Sequence, residues 1–390
     1  MSSPNGAMQQ PNPCQRLSRL GQSLWLDYID RHLLQSGELT RLIEQVHLKG
    51  LTSNPAIFEK ALASDPAYLG EMQALAKTGA PAENVFEQLA LADIRAAADA
   101  LQEVYRNSNR RDGYVSLEVS PRLAGDSTGT VNAAQRLWQA VARENLMIKV
   151  PATEAGLAAI ESLIAQGINV NATLLFSRAM YRRVTEAWLA GLERWIERGG
   201  DPGRVASVAS FFVSRIDSAV DALLLSRIEA RPEPSVQAAL RSLLGKTAIA
   251  NARLAYQHYL SLKAGPRWQR LAAHGAQPQR LLWASTGTKN PAYSDVLYVE
   301  TLIGPDTVNT VPPATLEAFA AHGVAEDRLQ GDSEGSARVM EALEALGISL
   351  DAVTDQLLVE GVRLFAQAYD KLLAQIETRI ATFPVAGQEH

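Results

Sequence analysis

Eight short β-branched or apolar runs, separated by long Ala/Leu/Arg-rich stretches, predict an α/β fold: a (β/α)₈ TIM barrel with additional helices. Three observations carry this reading. The strand count is eight, the strand–helix alternation favours a parallel sheet, and the chain has no fingerprint for the alternative, a doubly wound open sheet. That fingerprint would be G-x-G-x-x-G after the first strand or G-x-x-x-x-G-K-[ST] anywhere, and neither occurs.

The first run, Ser23–Ile29, places Asp27 after Leu24 and Leu26, a carboxylate in a segment that favours burial. Such a charge costs several kcal/mol unless it is paired or hydrogen-bonded. The second, His47–Asn54, ends at Asn54 before Pro55. In the third, Tyr114–Ser120, Glu118 interrupts Val115, Leu117 and Val119. The fourth, Asn145–Val150, carries Lys149 near its carboxyl end. In the fifth, Ile168–Phe176, Asn169, Asn171 and Thr173 share one face, with Val170, Ala172 and Leu174 on the other. The sixth, Val205–Val213, puts Ser210 and Phe212 on one face, with Arg215 just beyond. The seventh, Arg280–Ser285, leads into the small-residue loop Thr286–Lys289, and the eighth is Asp306–Val311.

Helical stretches at 36–45, 82–108, 130–143, 155–166, 177–198, 235–263 and 291–301 separate these runs. Beyond Pro313 the chain reads as helix alone: Ala314–His322, Glu334–Leu346 and a long C-terminal helix, Ser349–Ala381. In the last, Leu358, Val362, Phe365, Tyr369, Leu372 and Ile376 recur at helical spacing and read as packing over the barrel. The Gly331–Gly335 loop is too short to separate domains, so residues 16–384 read as one domain behind a flexible segment, 1–15.

The 390 residues are 47% hydrophobic and 20% charged with a formal charge of −5, enough for a sizeable core. No Lys/Arg block forms a footprint for nucleic acid or an anionic membrane, and no apolar run is long enough to span a bilayer. The first 14 residues lack the basic start and apolar run of a secretory leader, so the mature protein is expected to begin near here. The single cysteine, Cys14, excludes an intramolecular disulfide and favours a cytoplasmic setting. The six histidines show no metal-ligand spacing, so no metal site is expected; monomer and homodimer both stay open.

Lys149 is one of only eight lysines, against 29 arginines. An amine in an apolar, partly desolvated place has its pKa lowered and attacks carbonyls, which arginine cannot do; the competing reading is a stem laid on the core with its charge in water. The other residues have structural readings too. Asp27 can cap a turn, Asn54 can end a strand, Glu118 can sit in a salt bridge, and the Asn/Thr face can be a polar barrel layer. Together they put an amine, two carboxylates, amides and hydroxyls at the strand carboxyl ends, where barrels keep their active sites. That inventory suits an aldolase acting through a Schiff base, and Arg215 with the Ser285–Lys289 loop adds cations for a phosphate. A phosphosugar would satisfy all of them.

The segments Gly50–Pro55, Met147–Thr153, Gly167–Ser177 and Ser210–Arg215 resemble the transaldolases. The resemblance spans all eight strands and implies transfer of a dihydroxyacetone unit between ketose and aldose phosphates in the pentose phosphate pathway, with no cofactor. It implies that Lys149 forms the Schiff base, that Asp27 is the acid/base for carbon–carbon cleavage, and that Glu118 with Thr173 handles a catalytic water. Asn54, Asn171 and Ser210 match positions that bind substrate hydroxyls, and Arg215 and Ser285 match phosphate ligands. One departure stands out: where the better-known subfamily has an arginine two residues after the serine, this chain has Gly287, with Lys289 displaced as the candidate cation. The lyase relatives, the fructose 6-phosphate aldolases, are shorter and carry a tyrosine where this chain has Phe212. Phenylalanine has no hydroxyl to protonate the enamine, so Phe212 favours transfer. That lyase activity and a non-catalytic phosphosugar-binding barrel are the two alternatives.

Overall fold

The structure is a computed structural model that describes residues 11–231 and 233–383. The eight runs form strands β1 (Gln22–Leu26), β2 (Gly50–Thr52), β3 (Tyr114–Glu118), β4 (Leu146–Pro151), β5 (Val170–Leu175), β6 (Ser207–Phe212), β7 (Arg280–Ala284) and β8 (Thr307–Val311). They close in sequence order into a barrel of parallel strands, β8 pairing back onto β1. Side chains are buried along every strand, as expected for a parallel sheet covered on its outer face by helices and filled on its inner face by its own residues. Gly50 opens β2 because nothing larger fits: an added Cβ would lie 2.6 Å from the Trp25 indole of β1.

The amino end of the barrel is plugged by an ionic knot. Arg280 donates to Asp112 at 2.9 Å and to Ser23 at 2.8 Å, and all three are buried. Asn169 belongs to this end as well: its amide donates to the carbonyls of Glu144 and Leu146 and its oxygen accepts from the Ala206 N–H.

Among the helices that go unread in the sequence are Pro55–Ser64 with Leu69–Ala76, and Ser214–Ala230. The first starts where Asn54 seems only to end a strand. In fact β2 stops at Thr52, and the Asn54 side chain accepts from the Ile57 N–H as the helix N-cap, with Pro55 at the first helical position. The stretch 235–263 is two helices, Pro234–Arg241 and Thr247–Ala264, interrupted at Gly245 with φ +68°. At the start of the chain, Asn12 caps the helix Pro13–Arg19, whose Cys14 and Leu17 are buried, so a boundary at residue 15 falls inside a packed helix. Residues 1–10 lie outside the described residues. Burial pushes the Cys14 thiol up to about 12, which leaves it inert.

The terminal helix, Leu350–Ile380, runs for 31 residues, about 46 Å at 1.5 Å per residue, and crosses the carboxyl-end mouth of the barrel. Gly361 brings it down onto β5, where an added Cβ would lie 3.0 Å from Leu174. Further on, Tyr369 donates to Glu83, Gln375 donates to Glu59 and Arg379 donates to the Ala63 carbonyl. No described helix is long and apolar enough to cross a membrane.

Candidate active site

Strand register assembles the centre of the site. The β3–β4 ladder sets Glu118 beside Lys149, and the β4–β5 ladder sets Lys149 beside Asn171 and Pro151 beside Thr173. Lys149 is 4% exposed; its Nζ donates to the Ser53 carbonyl at 3.2 Å and lies 3.6 Å from Glu118 Oε2. At that distance the contact is an ion pair rather than a hydrogen bond. Overhead, the Phe365 ring from the terminal helix is centred 6.0 Å from Nζ. The terminal helix therefore does more than pack: it roofs the amine with an aromatic face.

Burial pushes Glu118 up to about 7; the Lys149 charge opposes this and Asp27 adds to it. Glu118 Oε2 and Thr173 Oγ1 are both buried without a hydrogen-bond partner among the described residues. Each such orphan costs about 1–3 kcal/mol, so one beside Lys149 and another on the adjoining strand are the groups a polar guest would satisfy. Asp27 follows directly on β1 and continues its ladder, its N–H donating to the Val311 carbonyl. Its carboxylate accepts from Thr52 at 2.6 Å, and Thr52 in turn meets Thr310 at 2.7 Å. Burial raises the Asp27 pKa, while the Lys149 charge, the Thr52 bond and the Lys289 charge pull it back.

A polar relay runs across the next strands. Ser210 donates to Asn171 Oδ1 at 2.6 Å, and the Asn171 amide donates to Ser116 Oγ at 3.0 Å. Ser116 and Thr52 are unread in the sequence, although strand parity already puts Ser116 on the face of Glu118. Asn54 spends its oxygen on the helix cap; its amide N–H₂ has no partner among the described residues.

Two left-handed non-glycine residues sit at this end of the barrel. Leu174 sits at φ +59°, where the β5–β6 register shifts between Ala172 and Leu175, and Ser285 sits at φ +56° after β7. Left-handed non-glycine residues cost about 1–3 kcal/mol each and persist where the surroundings over-determine them. The bulge turns Leu174 outward under Gly361. Ser285 is tied to the start of the helix that follows β6, its Oγ 2.9 Å from Ser214 Oγ and its carbonyl accepting the Ser214 N–H at 3.0 Å. Arg215 lies over the Phe212 ring, centroid distance 5.5 Å, and Phe212 packs on Phe176 at 5.1 Å. No carboxylate among the described residues pairs with Arg215 within 4.0 Å. Lys289 is exposed, yet its charge reaches Asp27.

A buried amine, two carboxylates with raised pKa values and an unpaired guanidinium thus share one barrel mouth. The family model for transaldolase/fructose-6-phosphate aldolase matches residues 24–376, a span that takes in every strand but the first two residues of β1. The chain belongs to the transaldolase/fructose-6-phosphate aldolase family. Among curated relatives it is 49% identical to a transaldolase of Thiobacillus denitrificans, over 92% of this chain and 98% of that one. It is 48% identical to a protein named Transaldolase 2 of Nostoc punctiforme, over 93% and 96%. It is 47% identical to a transaldolase of Thermobifida fusca, over 95% and 99%. The family membership accords with the eight-stranded barrel.

Proposed function

We propose that this chain is a transaldolase that moves a dihydroxyacetone unit from sedoheptulose 7-phosphate or fructose 6-phosphate to glyceraldehyde 3-phosphate or erythrose 4-phosphate. The observation that carries the reading is Lys149, buried beside Glu118 Oε2 and within one strand of Thr173 Oγ1, two polar atoms with no hydrogen-bond partner among the described residues. The neutral amine adds to the ketose carbonyl carbon. Glu118, with Thr173, supplies the proton with which the carbinolamine hydroxyl leaves as water, and the carboxyl held near 7 can give and take that proton at neutral pH. The iminium then draws electrons as the C3–C4 bond breaks, while Asp27 takes the C4 hydroxyl proton. The aldose phosphate departs and the enamine stays on Lys149.

Asn54, Asn171 and Ser210 hold the hydroxyls of the retained unit, with Ser116 fixing the Asn171 amide. Arg215, Ser285 and Lys289 hold the phosphate, the arginine as a fork and the lysine as a point charge. The acceptor aldehyde reverses the sequence: the enamine carbon attacks it, Asp27 returns its proton, and water releases the product from Lys149.

The family contains lyases as well as transferases, and the two differ in whether water reaches the enamine. Phe212 and Phe365 favour transfer, one lacking a hydroxyl and the other covering Lys149. Incubation with fructose 6-phosphate alone tests this: a transferase stops after one equivalent and resumes when erythrose 4-phosphate is added. Sustained release of free dihydroxyacetone without acceptor would make it a lyase. The catalytic unit is read as one domain to residue 384, of which Pro384 lies outside the described residues, its start moved from residue 16 to take in the helix Pro13–Arg19. With Cys14 the only cysteine, the proposed setting is the cytoplasm.

A further inference from the structure

Behind the proposed phosphate ligands lies a polar cluster that the chemistry above does not use. Asp217 and Asp221 stand four residues apart on the helix Ser214–Ala230, which carries Arg215 in its first turn, and so share one face of it. They are 2% and 6% exposed. Asp217 accepts from the Tyr298 hydroxyl at 2.8 Å and from the Ala248 N–H at 2.7 Å. Asp221 accepts from the Tyr293 hydroxyl at 2.7 Å and from the Gly245 N–H at 3.0 Å. Among the described residues no cation pairs with either carboxylate, and they border a cavity of about 230 Å³ whose wall includes Lys289 and Asn290. Burial pushes Asp217 up to about 6, so the cluster is expensive to keep.

What the cluster provides is geometry. Tyr293 and Tyr298 flank the far end of the loop that carries Lys289; its near end is pinned by Ser285 on Ser214 and by Thr286 donating to Asn309 at 2.8 Å. Gly245 is shaped around the same point: at φ +68°, an added Cβ would lie 2.8 Å from the Tyr293 ring. A lysine has a flexible stem and no fork, so its ammonium is only as well placed as the backbone beneath it. In this chain Gly287 stands ahead of Lys289, and the fixing falls to the loop ends.

We propose that Asp217, Asp221, Tyr293 and Tyr298 are positioning residues for the substrate phosphate, clamping the Lys289 loop to the Arg215 helix so that both cations face one phosphate group. The proposal rests on reading Arg215 and Lys289 as the phosphate ligands. Tyr293→Phe removes its bond to Asp221 at nearly constant volume, and Asp221→Ala removes both bonds that Asp221 accepts; Tyr293 is half-buried, so the fold tolerates its change.

In both variants the Ki for inorganic phosphate and the KM for glyceraldehyde 3-phosphate should rise about tenfold, or about 1.4 kcal/mol. With unphosphorylated glyceraldehyde as acceptor at saturating donor, kcat/KM should stay within about twofold of the parent. A loss shared equally by both acceptors, or an unchanged Ki for phosphate, overturns the proposal. In a cycle with Lys289→Ala, the tyrosine change should add nothing once the lysine is gone; full additivity would also overturn it. Calorimetric titration of inorganic phosphate needs no turnover. A chain that binds phosphate, loses that binding in Tyr293→Phe and yet transfers no dihydroxyacetone would sink the transaldolase reading and leave the clamp standing.

Discussion

Replacing Glu118 with glutamine separates the cost of a buried carboxyl from its use. In the folded chain this group is held at about 7, against an ordinary 4.5, because burial outweighs the pull of Lys149. The gap corresponds to about 3 kcal/mol. Its sign follows from which state holds the proton. Below pH 4.5 the carboxyl is neutral both folded and unfolded, and the full stability is present. Between 4.5 and 7 the unfolded chain gives up the proton while the folded chain keeps it, so stability falls by about 3 kcal/mol and is level above that window. Glutamine does not titrate and does not incur this loss. Urea unfolding of parent and Glu118→Gln at intervals from pH 4.5 to 8 should therefore show the variant gaining on the parent by about 3 kcal/mol across the range. Removing the partner of Lys149 shifts the whole difference by a fixed offset, so the slope is the quantity to read. A difference that does not change with pH would refute the burial argument. The same substitution should slow imine formation by about 10²–10⁴-fold, because an amide cannot pass the proton that the leaving water needs.

Asp27→Asn should divide the reaction at a different point: borohydride still traps an adduct with fructose 6-phosphate, while turnover falls by about 10²–10⁴-fold. Loss of trapping together with turnover would place Asp27 in imine formation instead. Phe365→Ala should raise the release of free dihydroxyacetone without acceptor by about tenfold, as water gains access to the enamine. It should also cost about 3–5 kcal/mol of stability, so the assay belongs well below the melting temperature, with Phe365→Leu as the milder variant. Unchanged release in both would mean that the roof does not keep the enamine dry.

The barrel was legible because each strand has a short apolar or β-branched run, and strand parity then separated inward from outward residues. All eight runs became strands, trimmed by a residue or more at most ends. Asp27, Glu118, Lys149 and Asn171 were found because each breaks an apolar run, whereas the hydroxyls Thr173 and Ser210 were singled out by the segments that carry the family resemblance. Ser116 and Thr52 break no such pattern, since a hydroxyl in a strand is ordinary, so their parts in the relay became visible only with distances. Phe365 was visible only as one more apolar residue at helical spacing. Nothing local says that the terminal helix crosses the mouth, which is a consequence of where Gly361 lets it approach Leu174. The helix Ser214–Ala230 was missed because Arg215 read only as a cation just beyond a strand rather than as part of the first turn of a helix. The Asp217–Tyr298 and Asp221–Tyr293 bonds join residues 81 and 72 positions apart, a separation that periodicity cannot bridge.

The most direct measurement is borohydride reduction in the presence of fructose 6-phosphate, followed by intact mass and peptide mapping. A single added dihydroxyacetone-derived group, confined to Lys149 among the eight lysines and absent from Lys149→Arg, is the expected result. An unchanged mass, or a label on any other lysine, would contradict the Schiff-base assignment on which the rest depends.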